Sequence, residues 1–191
     1  IINGTGYYPP ESLYRLSVDY STQTSGVEIE VNDVTPQAIN FGETIVGQLS
    51  SKDDIDKFSV VASTAGTITV SFSSDDSEGA GWYVQLLDSA NNLLSSTKCT
   101  STACLNGISV PSGIASAGTF FVQIINGTGY YPPESLYRLS VAQTSAVFAN
   151  GTTTIADGFF KGLSGLTSVT IPNSVTSIGF EAFRGTGLTS L

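Results

Sequence analysis

The chain has 191 residues, 40% of them apolar and only 12% charged, which is enough for one or two domains with a real core. Sixteen acids against seven bases, with no histidine, give a net charge of −9. That balance excludes the basic footprint of a nucleic-acid binder, and the missing imidazole excludes Ser-His-Asp and Cys-His catalysis within these residues. No run approaches the roughly 18 apolar residues of a membrane span.

Residues 1–18, IINGTGYYPPESLYRLSV, recur letter for letter at 124–141, so the chain contains a duplicated module. The second copy follows an alternating apolar segment, Gly118–Asn126, whereas the first copy opens the chain. Residues 1–18 therefore read as the terminal strand segment of a preceding or neighbouring module. Residues 19–26 then read as a linker, 27–141 as a whole module, and 142–147 as a second linker. The chain is expected to be a window on a longer tandem array, or a subunit whose first segment completes a neighbour. Within the string, two prolines exclude helix over residues 7–12. The alternation that follows predicts a strand with Tyr14, Leu16 and Val18 inward.

From Val27 onward the text breaks into short alternating runs split by turn residues. The predicted strands are Glu43–Leu49, Lys57–Ala62, Gly66–Ser73, Trp82–Leu87, Asn92–Ser96, Gly107–Val110, Thr119–Ile125 and Leu136–Val141. Turns are expected at 73–76, 79–81, 88–92 and 111–113. Regularly spaced short strands, with no long 3.6-residue period, predict an all-β fold: an antiparallel, jelly-roll-like β-sandwich. Phe58, Phe72, Trp82, Leu86 and Phe120 should fill its core. Cys99 and Cys104 are either two free thiols or a local disulfide. The acidic, Ser/Thr/Gly-rich composition reads as extracellular and favours the disulfide.

After Val147 the pattern changes. Residues 153–169 and 176–191 are two passes of one theme, pairing Ile155 with Ile178, Phe160 with Phe183, Gly162 with Gly185 and Leu166 with Leu188. A short strand, a helical turn and a second short strand at this period predict a solenoid coil. About three coils are needed to bury such a core. The repeats at 148–191 must therefore continue or lean on the sandwich.

The densest set of oxygen ligands is Glu28-x-Glu30-x-Asn32-Asp33 together with Asp53-Asp54-x-Asp56. In an extended segment Glu28, Glu30 and Asn32 project to one side. Spacing alone fits a calcium site or a solvated acidic strand and turn equally well. Asp53, Asp54, Glu78 and Asp88 could also be read as paired acids for glycoside hydrolysis, but nothing in the sequence builds a cleft around them. The Asn-Gly-Thr tripeptides at Asn3, Asn126 and Asn150 fit both a glycosylation acceptor and a turn, and the turn is preferred.

Residues 27–141 resemble the bacterial pre-peptidase C-terminal (PPC) domain, a group that includes collagenase collagen-binding domains. The E-x-E-x-N-D entrance, the run Gly47–Phe58, the strand Val84–Asp88 and the closing G-T-F-F-V-Q-I and Y-R-L-S-V segments carry the likeness. It implies a calcium-binding set of Glu28, Glu30, Asn32, Asp33, Asp53 and Asp56, with Gln48 adding a main-chain oxygen. Residues 148–191 resemble BspA-type leucine-rich repeats through L-T-S-V-T-I-P-x-S-V-T-S-I-G-x-x-A-F at Leu166–Phe183. Together these imply a non-catalytic module of the extracellular space or cell surface, in which calcium-stabilised sandwiches form a stalk, adhesin or filament. Its expected partners are other copies or neighbouring modules, by strand donation, and an extracellular polymer or host surface. An accessory substrate-binding or maturation domain of a secreted hydrolase is the alternative expectation.

Overall fold

The computed structural model describes residues 35–49, 51, 53–74, 81–100, 102–127 and 136–190. The segment 1–18, the linker 19–26 and the entrance residues Glu28, Glu30, Asn32 and Asp33 lie outside them. Twelve strands and one short helix make up the described part: β1 Gln37–Ala38, β2 Thr44–Gly47, β3 Ile55–Ala62, β4 Ala65–Ser74, β5 Gly81–Leu87, β6 Leu93–Thr100, α1 Thr102–Asn106, β7 Ile108–Ile114, β8 Gly118–Asn126, β9 Tyr137–Val147, β10 Thr154–Ile155, β11 Ser168–Thr170 and β12 Ser177–Ile178. Two sheets face each other. One has the order β1-β3-β8-β5-β6; the other has the order β11-β9-β4-β7, with β2 also on β9. The fold is an all-β sandwich, as the spacing of the runs predicts.

Alternation explains the core. Along β3, Asp56, Phe58, Val60 and Ala62 are buried while Lys57, Ser59 and Val61 face out. Phe72 of β4, Trp82 of β5 and Tyr137 of β9 meet at one end, with ring centroids 5.5–5.7 Å apart. All five residues expected in the core are buried there. In the second copy of the 18-residue string, Tyr137, Leu139 and Val141 point inward. Those are the positions that Tyr14, Leu16 and Val18 hold in the first copy.

Four local features depart from expectation. Pro111-Ser112-Gly113 is not a turn; it lies inside β7. Proline is tolerated there because β7 is an edge strand, bonded within the sheet to β4 alone. The short helix α1 follows an extended β6, and its five residues are too few for a helical period to register in the sequence. The two-residue strand β1 pairs parallel with β3. Most consequentially, 142–147 is no linker but the second half of β9. Its polar run Ala142-Gln-Thr-Ser145 hides the strand because a bulge leaves Thr144 unmatched between Gln143, which pairs with Ile68, and Ser145, which pairs with Thr67. The buried positions consequently shift from odd (Tyr137 to Gln143) to even (Ala146, Phe148). Opposite the bulge, Gly66 has φ +146°, and a Cβ there would lie 2.0 Å from the Ser145 carbonyl oxygen. Only glycine fits.

Past the bulge, β9 pairs in parallel with β11 through Ser145–Ser168, Ala146–Val169 and Val147–Thr170. Twenty-three residues separate each partner, as they do in the β10–β12 pairs Thr154–Ser177 and Ile155–Ile178. The repeats thus grow directly from a strand of the sandwich. The turn after each β10-type strand is a string of tight turns rather than a helix. A second core contains Ala146, Phe148, Ile155, Phe160, Leu166 and Ala182.

Candidate functional site

The predicted acidic site has its described half at the end of the sandwich where β2 stops and β3 begins. Gly47, the last residue of β2, pairs with Tyr137, the first of β9, so Gln48 emerges beside that tyrosine. A tight turn follows: Ser51 accepts the Asp54 amide on its carbonyl at 3.3 Å, and the Asp53 amide on its Oγ at 3.3 Å. The turn leaves Asp53 exposed and Asp54 buried. Two residues on, the alternation of β3 turns Asp56 inward, where it has no solvent exposure. The Tyr137 hydroxyl donates to Asp56 Oδ2 at 2.6 Å. A buried carboxylate is costly unless hydrogen-bonded, and this bond fixes its position against the Phe72–Trp82–Tyr137 cluster. None of Gln48, Asp53, Asp54 and Asp56 lacks a partner.

Gln48, Asp53 and Asp56 are therefore gathered at one end, and Tyr137 joins them. The tyrosine escapes sequence reasoning because it lies 81 residues from Asp56 in the chain; the inward phase of Y-R-L-S-V is the one signal that points to it. Among the described residues no three His, Cys, Asp or Glu side chains converge on a metal position. Glu28, Glu30, Asn32 and Asp33, the rest of the expected set, lie outside the described residues. As a donor set, a buried carboxylate, an exposed carboxylate and the Gln48 backbone carbonyl are hard oxygens and fit calcium.

The acid-pair reading for hydrolysis finds no support in the placement of its members. Asp53 and Asp54 precede β3, whereas Asp88 follows β5 at the far end of the same sheet, since β3 and β5 run in one direction beside β8; Glu78 lies outside the described residues. Asp88 serves its own turn. The Asn92 side chain and the amides of Asn92 and Ala90 bond its carboxylate at 2.8 Å, and together they hold its carboxyl below the ordinary range. Two open hollows, of 430 and 310 Å³, lie respectively on the outer face of β2, β9, β4 and β7 and at the junction of β1 and β3 with the repeats.

Cys99 and Cys104 form a disulfide and are fully buried, tying β6 to α1. Asn126 ends β8, and Asn150 opens a turn that continues through Gly151 at φ +92°. Among the described residues no helix is long and apolar enough to cross a membrane.

A family model described as the BspA type leucine rich repeat region (6 copies) matches residues 133–191. Its span begins just before β9, in keeping with that strand's place as the first rung. No curated protein matches the chain. Among solved structures, the pre-peptidase C-terminal domain of collagenase from Bacillus anthracis aligns at 17% identity and a TM-score of 0.41, covering 61% of this chain and 95% of that one. CsCBM6-3 from Clostridium stercorarium, in complex with cellobiose, aligns at 14% identity and a TM-score of 0.26, over 55% of this chain and 70% of that one. An arabinose-bound α-L-arabinofuranosidase, MgGH51, aligns at 16% identity and a TM-score of 0.30, over 49% of this chain and 18% of that one.

Proposed function

We propose that this chain is a non-catalytic extracellular module, a calcium-braced sandwich that carries a leucine-rich solenoid in a surface stalk or adhesin. The observation that carries the reading is β9. Its first half lies in the sandwich core and its second half is the first rung of the repeat sheet. A shared strand transmits orientation where a flexible linker would not. The identical 18-residue strings, each ending in the sequence of the first, sandwich half of that strand, support tandem repetition of the sandwich; the junction half at 142–147 is not repeated after the first string.

In this reading Glu28, Glu30, Asn32 and Asp33 of the entrance join Gln48, Asp53 and Asp56 around one cation. When bound, calcium supplies a cross-link among about six to eight oxygens. The chain's own part is to keep Asp56 fixed through Tyr137 and to present Asp53 from the tight turn after Ser51. The brace would set the angle at which a preceding module enters.

Thermal melting in calcium and in chelator tests the brace. Saturating calcium should raise the midpoint by about 5–10 °C, and Glu30→Ala should abolish most of that gain. An identical midpoint in both conditions would remove calcium from the account. Small-angle scattering tests the stalk: a single elongated shape is expected, and a broad spread of sandwich–repeat orientations would refute it.

A further inference from the structure

The outer face of the sheet β3-β8-β5-β6 gathers aromatic, amide and lysine side chains. Cross-strand pairing arranges it in rows: Ile55–Ile125–Tyr83–Lys98, then Lys57–Gln123–Gln85–Ser96, then Ser59–Phe121. Gln85 and Gln123 sit side by side at the centre, half-exposed, with one aromatic ring to either side along the strands. Each ring is attended by a lysine. Lys57 Nζ lies 4.7 Å from the Phe121 centroid and is held by Asn91 Oδ1 at 2.5 Å. Lys98 Nζ lies 5.5 Å from the Tyr83 centroid. The lysines start from opposite strands of the face, three strand spacings or roughly 14 Å apart.

The charge is what selects an occupant. In a chain of net charge −9, the outward residues of these four strands include two lysines and no carboxylate. Two acids flank the face: Asp53, exposed two residues before Ile55, and Asp88, bonded back onto its own turn by Ala90 and Asn92. At physiological salt, interactions are screened beyond about 8 Å, so acids elsewhere do little to cancel the local field. Two half-exposed rings offer apolar surface to the C–H face of a sugar. The paired amides supply both donors and acceptors to hydroxyls, and the ammoniums complement carboxylates.

We propose that this face is a binding platform for a carboxylate-bearing polysaccharide, a polyuronate, lying across the strands from Lys57 to Lys98. The proposal rests on the reading of the chain as an extracellular module and gives that module its ligand class. A solvated sheet face would not require two lysines, two rings and two amides in adjoining rows with no carboxylate among the outward residues of the four strands.

The test is calorimetric titration of the full chain with short oligogalacturonides, too short to gel with calcium, and with their methyl esters. The free acids should bind about fivefold more tightly than the esters. The double variant Lys57→Gln/Lys98→Gln should weaken binding about fivefold, as expected for two exposed ion pairs, with an unchanged melting midpoint. Lys161→Gln, in the repeats, should leave binding unaltered. Equal binding of acid and ester, or wild-type affinity in the double variant, overturns the platform while leaving the module reading standing. Absence of binding by the free acids overturns it as well. The calcium melt decides the brace independently of all three outcomes.

Discussion

The sandwich and the solenoid bury comparable side chains by different means. In the sandwich, two sheets cover each other, so Phe58 of β3 and Trp82 and Leu86 of β5 have no exposure. In the solenoid each coil is covered by the next. Ile155 of β10 is fully buried beneath β12, whereas its counterpart Ile178 is 49% exposed and the nearby Phe180 77% exposed. The first coil solves the same problem at its other side through β9, on which β11 is laid. A closed core is complete in itself. A stacked core is only as complete as its neighbours, and here one neighbour is the sandwich.

This asymmetry predicts unequal consequences for equal damage. Phe72→Ala removes a ring packed on both Trp82 and Tyr137 and should destabilise the sandwich by about 3–5 kcal/mol. Because β9 belongs to both cores, the amides of β10 and β12 should lose hydrogen-exchange protection at the same denaturant midpoint as the fluorescence of Trp82, the single tryptophan. Repeats that stay protected after the tryptophan signal is lost would break the comparison.

Damage in the other direction should stay local. Leu166 is fully buried in the second core, and Leu166→Ala should cost about 2–5 kcal/mol of repeat stability. Protection at the Thr176 and Gly179 amides, which bond the Thr153 and Ile155 carbonyls, should fall, while the Trp82 midpoint stays where it was. A matching drop in the tryptophan midpoint would mean that the two cores unfold as one unit in both directions.

The sandwich was legible because its strands obey a period of two, and the solenoid because its period of 23 is written in apolar pairs. Phe160 and Phe183 do lie 5.8 Å apart, and Ile155 does pair with Ile178. Their junction was not legible. A bulge at Thr144 breaks the alternation, and polar side chains there are satisfied across strands, as where Gln143 donates to Thr64 Oγ1 at 2.9 Å and Ser145 to Thr67 Oγ1 at 3.0 Å. Composition reads such a stretch as a linker. Of the acidic site, the turn at Asp53 and the inward phase of Asp56 follow from the local sequence, but the Tyr137 anchor depends on a contact between sheets that no spacing encodes.

The smallest predicted effect separates intrinsic strain from surface charge within the repeats. Gly158 has φ +63°, a conformation open to glycine, and the equivalent residue one coil later is Glu181, at φ +56°. A side chain in the left-handed region costs about 1 kcal/mol. Glu181 is offset by ion pairs, 2.6 Å to Lys161 Nζ and a further contact to Arg184. Exposed pairs are worth about 0–1 kcal/mol each and weaken with salt. In low salt the strain and the pairs should nearly cancel, leaving Glu181→Gly close to neutral. In 1 M NaCl the pairs are screened and the strain is not, so the same substitution should stabilise the repeats by about 0.5–1 kcal/mol. Hydrogen exchange at the Thr176 and Gly179 amides in both salts measures the difference. A Glu181→Gly chain that is less stable than the parent at high salt would show that Glu181 contributes packing that its charge does not explain.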